Sequence, residues 1–159
     1  LWILDPVPGW APASNEFTRL TVSPKHQLAD PALAARLLQL SASTLTSSQG
    51  AHMLGPLFES LVTLSVRVAA QAAEATVSHL RTKKGDHEVD LIVQGSEGEV
   101  LGIEVKLAPV ITDTDVRHLL WLRDKMPDSV TNLVVITTGT QVYRRTDGVL
   151  VLPLSMLAE

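Results

Sequence analysis

Residues 88–94 and 100–106 read Glu-Val-Asp-Leu-Ile-Val-Gln and Val-Leu-Gly-Ile-Glu-Val-Lys, two alternating runs joined by the stretch Gly95 to Glu99. A side-chain period of two marks both as strands. Val89, Leu91 and Val93 alternate with Glu88, Asp90 and Gln94, while Leu101, Ile103 and Val105 alternate with Gly102, Glu104 and Lys106; Ile92 and Val100 are the only apolar residues on the polar sides. In an antiparallel pair directly opposed residues share a face, so the apolar sets coincide if Leu91 pairs with Ile103 and Val93 with Leu101. That register predicts Asp90 opposite Glu104 and Glu88 opposite Lys106. It also makes Ser96-Glu97-Gly98 a three-residue loop whose last position takes a left-handed residue, and Gly98 stands there. A slip of one residue would send the two apolar sets to opposite faces.

Carboxylates opposed across such a pair lie about 4.5–5.5 Å apart at Cβ and repel unless a cation lies between them. Asp90 and Glu104 offer hard oxygen ligands to a divalent cation, and Lys106 adds a positive charge beside them, which is equipment for phosphodiester hydrolysis. The same hairpin has a plainer reading: an exposed Glu88–Lys106 ion pair, contributing ~0–1 kcal/mol, with Asp90 and Glu104 in water.

The rest of the chain reads as alternating helices and strands. Leu1-Trp2-Ile3-Leu4 opens as a strand already under way, as expected of a piece of a longer protein, and runs into turn signals at Pro6, Pro8-Gly9 and Pro12, with Trp2 and Trp10 as apolar anchors. Asp30 caps a helix with Pro31 at its first position and Leu33, Leu37 and Leu38 on one face. Ser41 to Gly50 reads as a flexible or surface connection. From Leu54 to about Ala75 the spacing of Leu57, Phe58, Leu61, Leu64, Val68 and Ala72 predicts a long helix packed on a sheet. Val77 to Leu80 begins the first core strand. Thr112 or Asp113 starts a helix carrying Val116, Leu119, Leu120 and Leu122 that ends at Met126-Pro127; Leu133 to Ile136 suits a buried strand; Gln141–Arg145 and Val149–Leu152 form a last hairpin around Asp147-Gly148.

Composition limits what such a chain can be. With 159 residues, 45% of them hydrophobic, one core forms without a covalent staple, and the lack of cysteine excludes disulfides and thiolate metal sites. No signal-peptide pattern opens the sequence and no apolar run reaches the ~18–20 residues that span a bilayer, so a cytoplasmic protein with no membrane partner is expected. Thirteen basic and seventeen acidic residues give a net charge of −4, which argues against an autonomous high-affinity DNA binder. The local exceptions are Arg81, Lys83 and Lys84 just before the acidic strand, and Arg144-Arg145; such clusters serve as phosphate contacts or as solvated turns. His26, His52, His79, His87 and His118 form no spaced zinc motif, so no paired histidine is expected to make a soft-metal site; His118, on the helix after the hairpin, is a candidate phosphate contact.

Four stretches together carry a resemblance: Pro24-Lys25 with Asp30 and Leu33; Gly55-Pro56-Leu57-Phe58-Glu59; Arg81-Thr82-Lys83 before Glu88-Val89-Asp90; and Glu104-Val105-Lys106. With them the chain resembles the PD-(D/E)XK nuclease-like superfamily, and more narrowly the uncharacterised domain that lies C-terminal to the AAA-type ATPase module of many bacterial and archaeal ATPases. The resemblance implies an α/β (α+β) fold with a restriction-endonuclease-like core at residues 51–159, a mixed central sheet flanked by helices in the order αβββαβ, and a strand and helix extension at 1–50 packing on it. It implies Mg²⁺, with Mn²⁺ as a substitute, held by Asp90, Glu104 and the Val105 carbonyl, with Lys106 positioning the attacking water. Glu59 becomes a third acid aimed at the metal; its place beside the apolar stripe equally suits a boundary residue reaching solvent. The implied partners are an N-terminal ATPase module of the same polypeptide and nucleic acid, DNA in particular, bound weakly. Two departures stand out, Asp30-Pro31-Ala32 in place of the family's Asp-x-Gly and His87 ahead of the acidic strand. Two functions follow: a metal-dependent nuclease domain, or a recognition and regulatory module of the ATPase that does not cleave. A third, weaker one is a protein-interaction module with an idle site.

Overall fold

The computed structural model describes residues 3–12, 22–82 and 85–157. Its elements are β1 (Leu4–Val7), β2 (Lys25–Leu28), α1 (Pro31–Leu37), α2 (Ala42–Leu45), α3 (Ala51–Ala72), β3 (Thr76–Arg81), β4 (Glu88–Gln94), β5 (Val100–Lys106), α4 (Asp113–Lys125), β6 (Val130–Thr137), β7 (Tyr143–Arg144), β8 (Leu150–Pro153) and a 3₁₀ turn at Leu154–Leu157. From α3 to β6 the order is αβββαβ. Strands β3-β4-β5-β6-β8-β7 lie side by side in a mixed sheet, parallel at β5–β6 and β6–β8 and antiparallel elsewhere.

The central hairpin pairs Leu91 with Ile103 and Val93 with Leu101, as the apolar faces require. Gly98 has φ +89°, the left-handed conformation its loop position demands, and Gly95 N–H donates to the Glu99 carbonyl at 3.0 Å. What periodicity did not reveal is that both faces of this hairpin are covered. On one face α3 lays Val62 and Val66 against Leu91, Ile103, Val134 and Ile136; on the other α4 lays Val116, Leu119 and Leu122 against Ile92, Val100, Leu133 and Val135. Ile92 and Val100, odd ones out on a supposedly polar side, are therefore fully buried.

One residue of the expected apolar set changes sides. Ser78 pairs with Ile92 but Leu80 pairs with Val89, so β4 carries an extra residue against β3, a β-bulge. Val89 consequently packs in the α4 cluster with Ile92, not with Leu91. The ladder to β5 ends at Leu91–Ile103, so the expected Asp90–Glu104 pair is not part of it.

Gly102 sets how closely α4 approaches β5. A Cβ there would meet Leu122 Cδ2 at 3.0 Å and the Cδ2 atoms of Leu119 and Leu133 at 3.2 Å, all three leucines being buried. Because all three are buried side chains that would have to shift, Gly102→Ala is expected to destabilise the protein by about 1–3 kcal/mol through overpacking. Urea unfolding should show a lower midpoint with an unchanged slope; an unchanged midpoint would mean the helix shifts without cost.

The N-terminal region reaches the core through specific bonds. β1 pairs antiparallel with β2, His79 N–H donates to the Pro8 carbonyl (2.9 Å), and Trp10 N–H donates to the His79 carbonyl (2.7 Å). Trp10 is buried, as expected of an anchor, with its indole N–H on Gln94 Oε1 at 3.0 Å; Trp2 lies outside the described residues. Leu28 N–H donates to Ser60 Oγ and that hydroxyl donates to Gln27 Oε1, which ties β2 to α3. Asp30 caps α1 through the Leu33 N–H at 2.8 Å. Two expectations need correction. Leu33, Leu37 and Leu38 stay exposed, because the helix presents its Pro31 side to the core. Ser41–Gly50 is not wholly a loose connection: Ser41 caps the short helix α2 by accepting from Thr44 N–H. The helix α3 is long and apolar enough to cross a bilayer by length and composition only, and Glu59 and Arg67 break its apolar run, as expected of a core helix. Here both charges are paired, Arg67 with Asp5 and Glu59 with Lys25, and Leu57, Val62 and Val66 are buried in the core.

Candidate functional site

The ends of β4 and β5 place acidic and basic side chains where their shared backbone ladder has run out. Asp90 Oδ2 takes the place of a ladder acceptor by receiving the Val105 N–H at 2.9 Å. Its other oxygen, Oδ1, lies 3.3 Å from Lys25 Nζ. Lys25 also reaches Glu59 Oε1 at 2.5 Å and Glu88 Oε1 at 3.7 Å, so one ammonium from β2 sits among three carboxylates from α3 and β4. Glu59 Oε1 receives a further bond from Gln27 Nε2 at 2.8 Å. Glu59 thus points into the cluster, where Lys25 is its partner.

Glu104 is the most constrained of the acids. It is 3% exposed; Oε2 lies 3.0 Å from Lys106 Nζ, while Oε1 is buried without a hydrogen-bond partner among the described residues. Burial pushes its carboxyl up to about 8, Asp90 within hydrogen-bonding reach adds to the rise, and Lys106 opposes it. The plain reading that places Asp90 and Glu104 in water therefore fails for Glu104. Burial works against the charge on Lys106, but Glu104 and then Asp90 outweigh it and hold the ammonium above its usual range. Lys25 behaves alike: burial opposes its charge, Asp90 and Glu59 more than compensate, and its pKa rises to about 12.

The expected Glu88–Lys106 opposition is not what forms. Lys106 turns to Glu104, and Glu88 is shared between Lys25 and Arg81, whose Nε is 4.0 Å from Glu88 Oε2. The reason is the bulge: β3 pairs Arg81 with Glu88 directly, while the β4–β5 ladder has already ended. Arg81 is exposed. Lys83 and Lys84 lie outside the described residues.

His118 comes to the same end of the sheet from α4. Its Nδ1 lies 3.3 Å from Nδ1 of His87, its Nε2 accepts from Arg117 Nε at 3.0 Å, and the His87 ring stacks on Trp121 with centroids 4.0 Å apart and planes 9° from parallel. Burial, then Arg117, His87 and Lys106, lower the His118 pKa, so the ring is neutral at pH 7. The expectation that no histidines pair is overturned. The two residues are far apart in sequence, and only the packing of α4 against the start of β4 brings them together.

Sequence reasoning also missed Lys25 as a site residue, though it quoted the residue. Its one available signal was arithmetic, since Glu59, Glu88, Asp90 and Glu104 outnumber Lys106. Among the described residues no three His, Cys, Asp or Glu side chains are grouped so as to hold a metal ion by themselves. Asp90 and Glu104 form a pair, and the other acids are gathered around an ammonium.

A family model described as a domain of unknown function, DUF4143, matches residues 54–157, from the first turn of α3 to the 3₁₀ turn, about two thirds of the chain. No curated protein and no solved structure matches. The matched stretch holds Glu59, Glu88, Asp90, Glu104, Lys106 and His118 but leaves out Lys25 and Gln27.

Proposed function

The chain belongs to the DUF4143 family, a domain of unknown function that occurs after AAA-type ATPase modules, and from that premise we propose a nuclease-like domain that hydrolyses phosphodiester bonds of DNA. The observation that carries this reading is the convergence of Asp90, Glu104 and Lys106 where the β4–β5 ladder ends, with a buried Glu104 oxygen left unpartnered. That orphaned oxygen beside Asp90 fits a hard divalent cation, Mg²⁺ or Mn²⁺, with Asp90, Glu104 and the Val105 carbonyl as its protein ligands and water or phosphate oxygens completing the shell. Such an ion, when bound, polarises a phosphate oxygen and lowers the pKa of water. Lys106 keeps its charge at neutral pH and stands beside Glu104, so it orients the attacking water or offsets charge developing on the phosphate. Glu59 acts by holding Lys25, and Arg81 and His118 lie at the rim where a phosphate backbone would pass.

A second reading, a recognition or regulatory module of an attached ATPase without cleavage of its own, is favoured by one observation. Lys25 already neutralises Glu59, Glu88 and Asp90 from within the protein, on a chain whose net charge is −4. The test is a cleavage assay on duplex and single-stranded DNA with Mg²⁺ or Mn²⁺, using the chain joined to its ATPase module, with and without ATP. Turnover is expected to fall by about 10²–10³ in Lys106→Ala and at least as far in Asp90→Asn and Glu104→Gln. Cleavage that survives Lys106→Ala undiminished puts the chemistry elsewhere, and no cleavage by the wild type in any condition leaves the second reading in force.

A further inference from the structure

The geometry points to a two-histidine site for a borderline transition cation, Zn²⁺ above all, at His87 and His118, separate from the carboxylate cluster. Two imidazole nitrogens each ~2.0–2.1 Å from a tetrahedral ion stand about 3.3–3.4 Å apart. The two Nδ1 atoms are 3.3 Å apart. Square or octahedral angles would bring them to about 3.0 Å, so the spacing suits the tetrahedral ion better. The rings are set edge to face, with centroids 5.5 Å apart and planes at 82°. For two imidazoles sharing one tetrahedral ion, the same bond lengths place the centroids roughly 5 Å apart.

Both ligands are held from behind. His87 is stacked on Trp121, and its backbone is fixed at both ends by Thr82, whose hydroxyl accepts the His87 N–H at 3.1 Å and whose N–H donates to the His87 carbonyl at 3.0 Å. His118 is carried by the middle of α4. Such pre-arrangement cuts the ordering cost of binding.

The proton account closes without an added reactant. Arg117 Nε donates to His118 Nε2, so the neutral His118 carries its hydrogen on Nδ1 and gives it to Nδ1 of His87. The ion takes the place of that hydrogen. His118 moves to the Nε2–H tautomer, and Arg117, which is exposed, turns its Nε–H to solvent; no net proton is lost. Two coordination positions remain for water or for an anion such as phosphate.

The experiment is a titration of the chain with Zn²⁺ against a chromophoric chelator at pH 7.5, followed by long-range ¹⁵N–¹H spectra of the imidazoles. One equivalent is expected to bind, with the His87 and His118 resonances reporting coordination through Nδ1. Affinity should fall about 100-fold or more in His87→Gln and in His118→Gln, and stay unchanged in Asp90→Asn and Glu104→Gln, which keeps the result independent of any nuclease activity. The spectra need no variant, so a substitution that failed to fold would not obscure the outcome. Wild-type binding no tighter than that of the double variant, which keeps His26, His52 and His79, would overturn the site. So would binding that follows Asp90 and Glu104, or spectra showing the two rings unmoved by the metal.

Discussion

In chelator-treated protein, Glu104→Gln is expected to unfold at a higher denaturant concentration than the wild type above pH 8, by on the order of 4 kcal/mol, and to match it near pH 4. The sign follows from the direction of the shift. Burial and Asp90 raise the Glu104 carboxyl in the folded protein to about 8 from an ordinary value of 4.5, so between these limits the folded state keeps a proton that the unfolded state has lost. Stability from this group is fully present below about pH 4.5 and drains away as pH rises through 8. Glutamine is shaped like the protonated acid and never ionises, so the gap between the two proteins should open across that window at about 1.4 kcal/mol per pH unit. His79 and His118, both held below the ordinary 6.5 chiefly by burial, change stability in the opposite sense as pH falls below that value. They do so in both proteins and cancel in the difference. Parallel stability curves from pH 5 to 9 would mean that Glu104 is charged throughout and that Lys106 alone satisfies it.

Lys25→Met should tighten Mn²⁺ binding at the carboxylates by tenfold or more. The ammonium lies within 3.7 Å of Glu59, Glu88 and Asp90, and with its pKa at about 12 it stays charged across the whole neutral range. A unit charge about 4 Å away at an effective dielectric constant near 20 is worth roughly 4 kcal/mol, part of which a divalent ion regains when the lysine is gone. Methionine keeps the length of the side chain and drops the charge. Without metal the variant should be less stable than the wild type at pH 7, because three carboxylates then lose the ammonium they share, and added Mn²⁺ should restore the loss. Calorimetry resolves the affinity and also the proton released as Glu104 gives up its hydrogen to the ion, an uptake of metal that strengthens with pH up to about 8. Weaker metal binding in Lys25→Met would show the lysine to be a scaffold for the acids, not a competitor for their charge.

Residues 88–106 were legible because everything that fixes them is local. Alternation, the matched apolar faces and a glycine at the left-handed position each specify one register, which holds from the turn back to Leu91–Ile103 and stops one residue short of Asp90 and Glu104. The features that escaped all depend on distant partners. Whether the polar side of the hairpin faces water depends on α4, which buries Ile92 and Val100. The bulge that moves Val89 and frees Glu88 from Lys106 depends on the register of β3, which no pattern within β4 announces. Lys25 arrives from a short strand with no period of its own, and His87 meets His118 only across the fold. In α1 the same limit appears from the other side. Its leucine spacing correctly marked a helix, yet Leu33, Leu37 and Leu38 found no surface to cover, because periodicity describes a face and not its partner.

The lysine and the acids it neutralises are drawn from different stretches of chain, and this has a consequence for how the sequence can drift. Glu59, Glu88 and Asp90 sit inside the stretch that the family model recognises, whereas Lys25 lies well ahead of it. A lineage that loses the positive charge at position 25 inherits an electrostatic debt at three others, and the least disruptive settlements are a neutral residue at one of them or a stand-in cation. Position 25 should therefore covary with 59, 88 and 90 as a charge-balanced group, although nothing in the chain's order marks the four as neighbours.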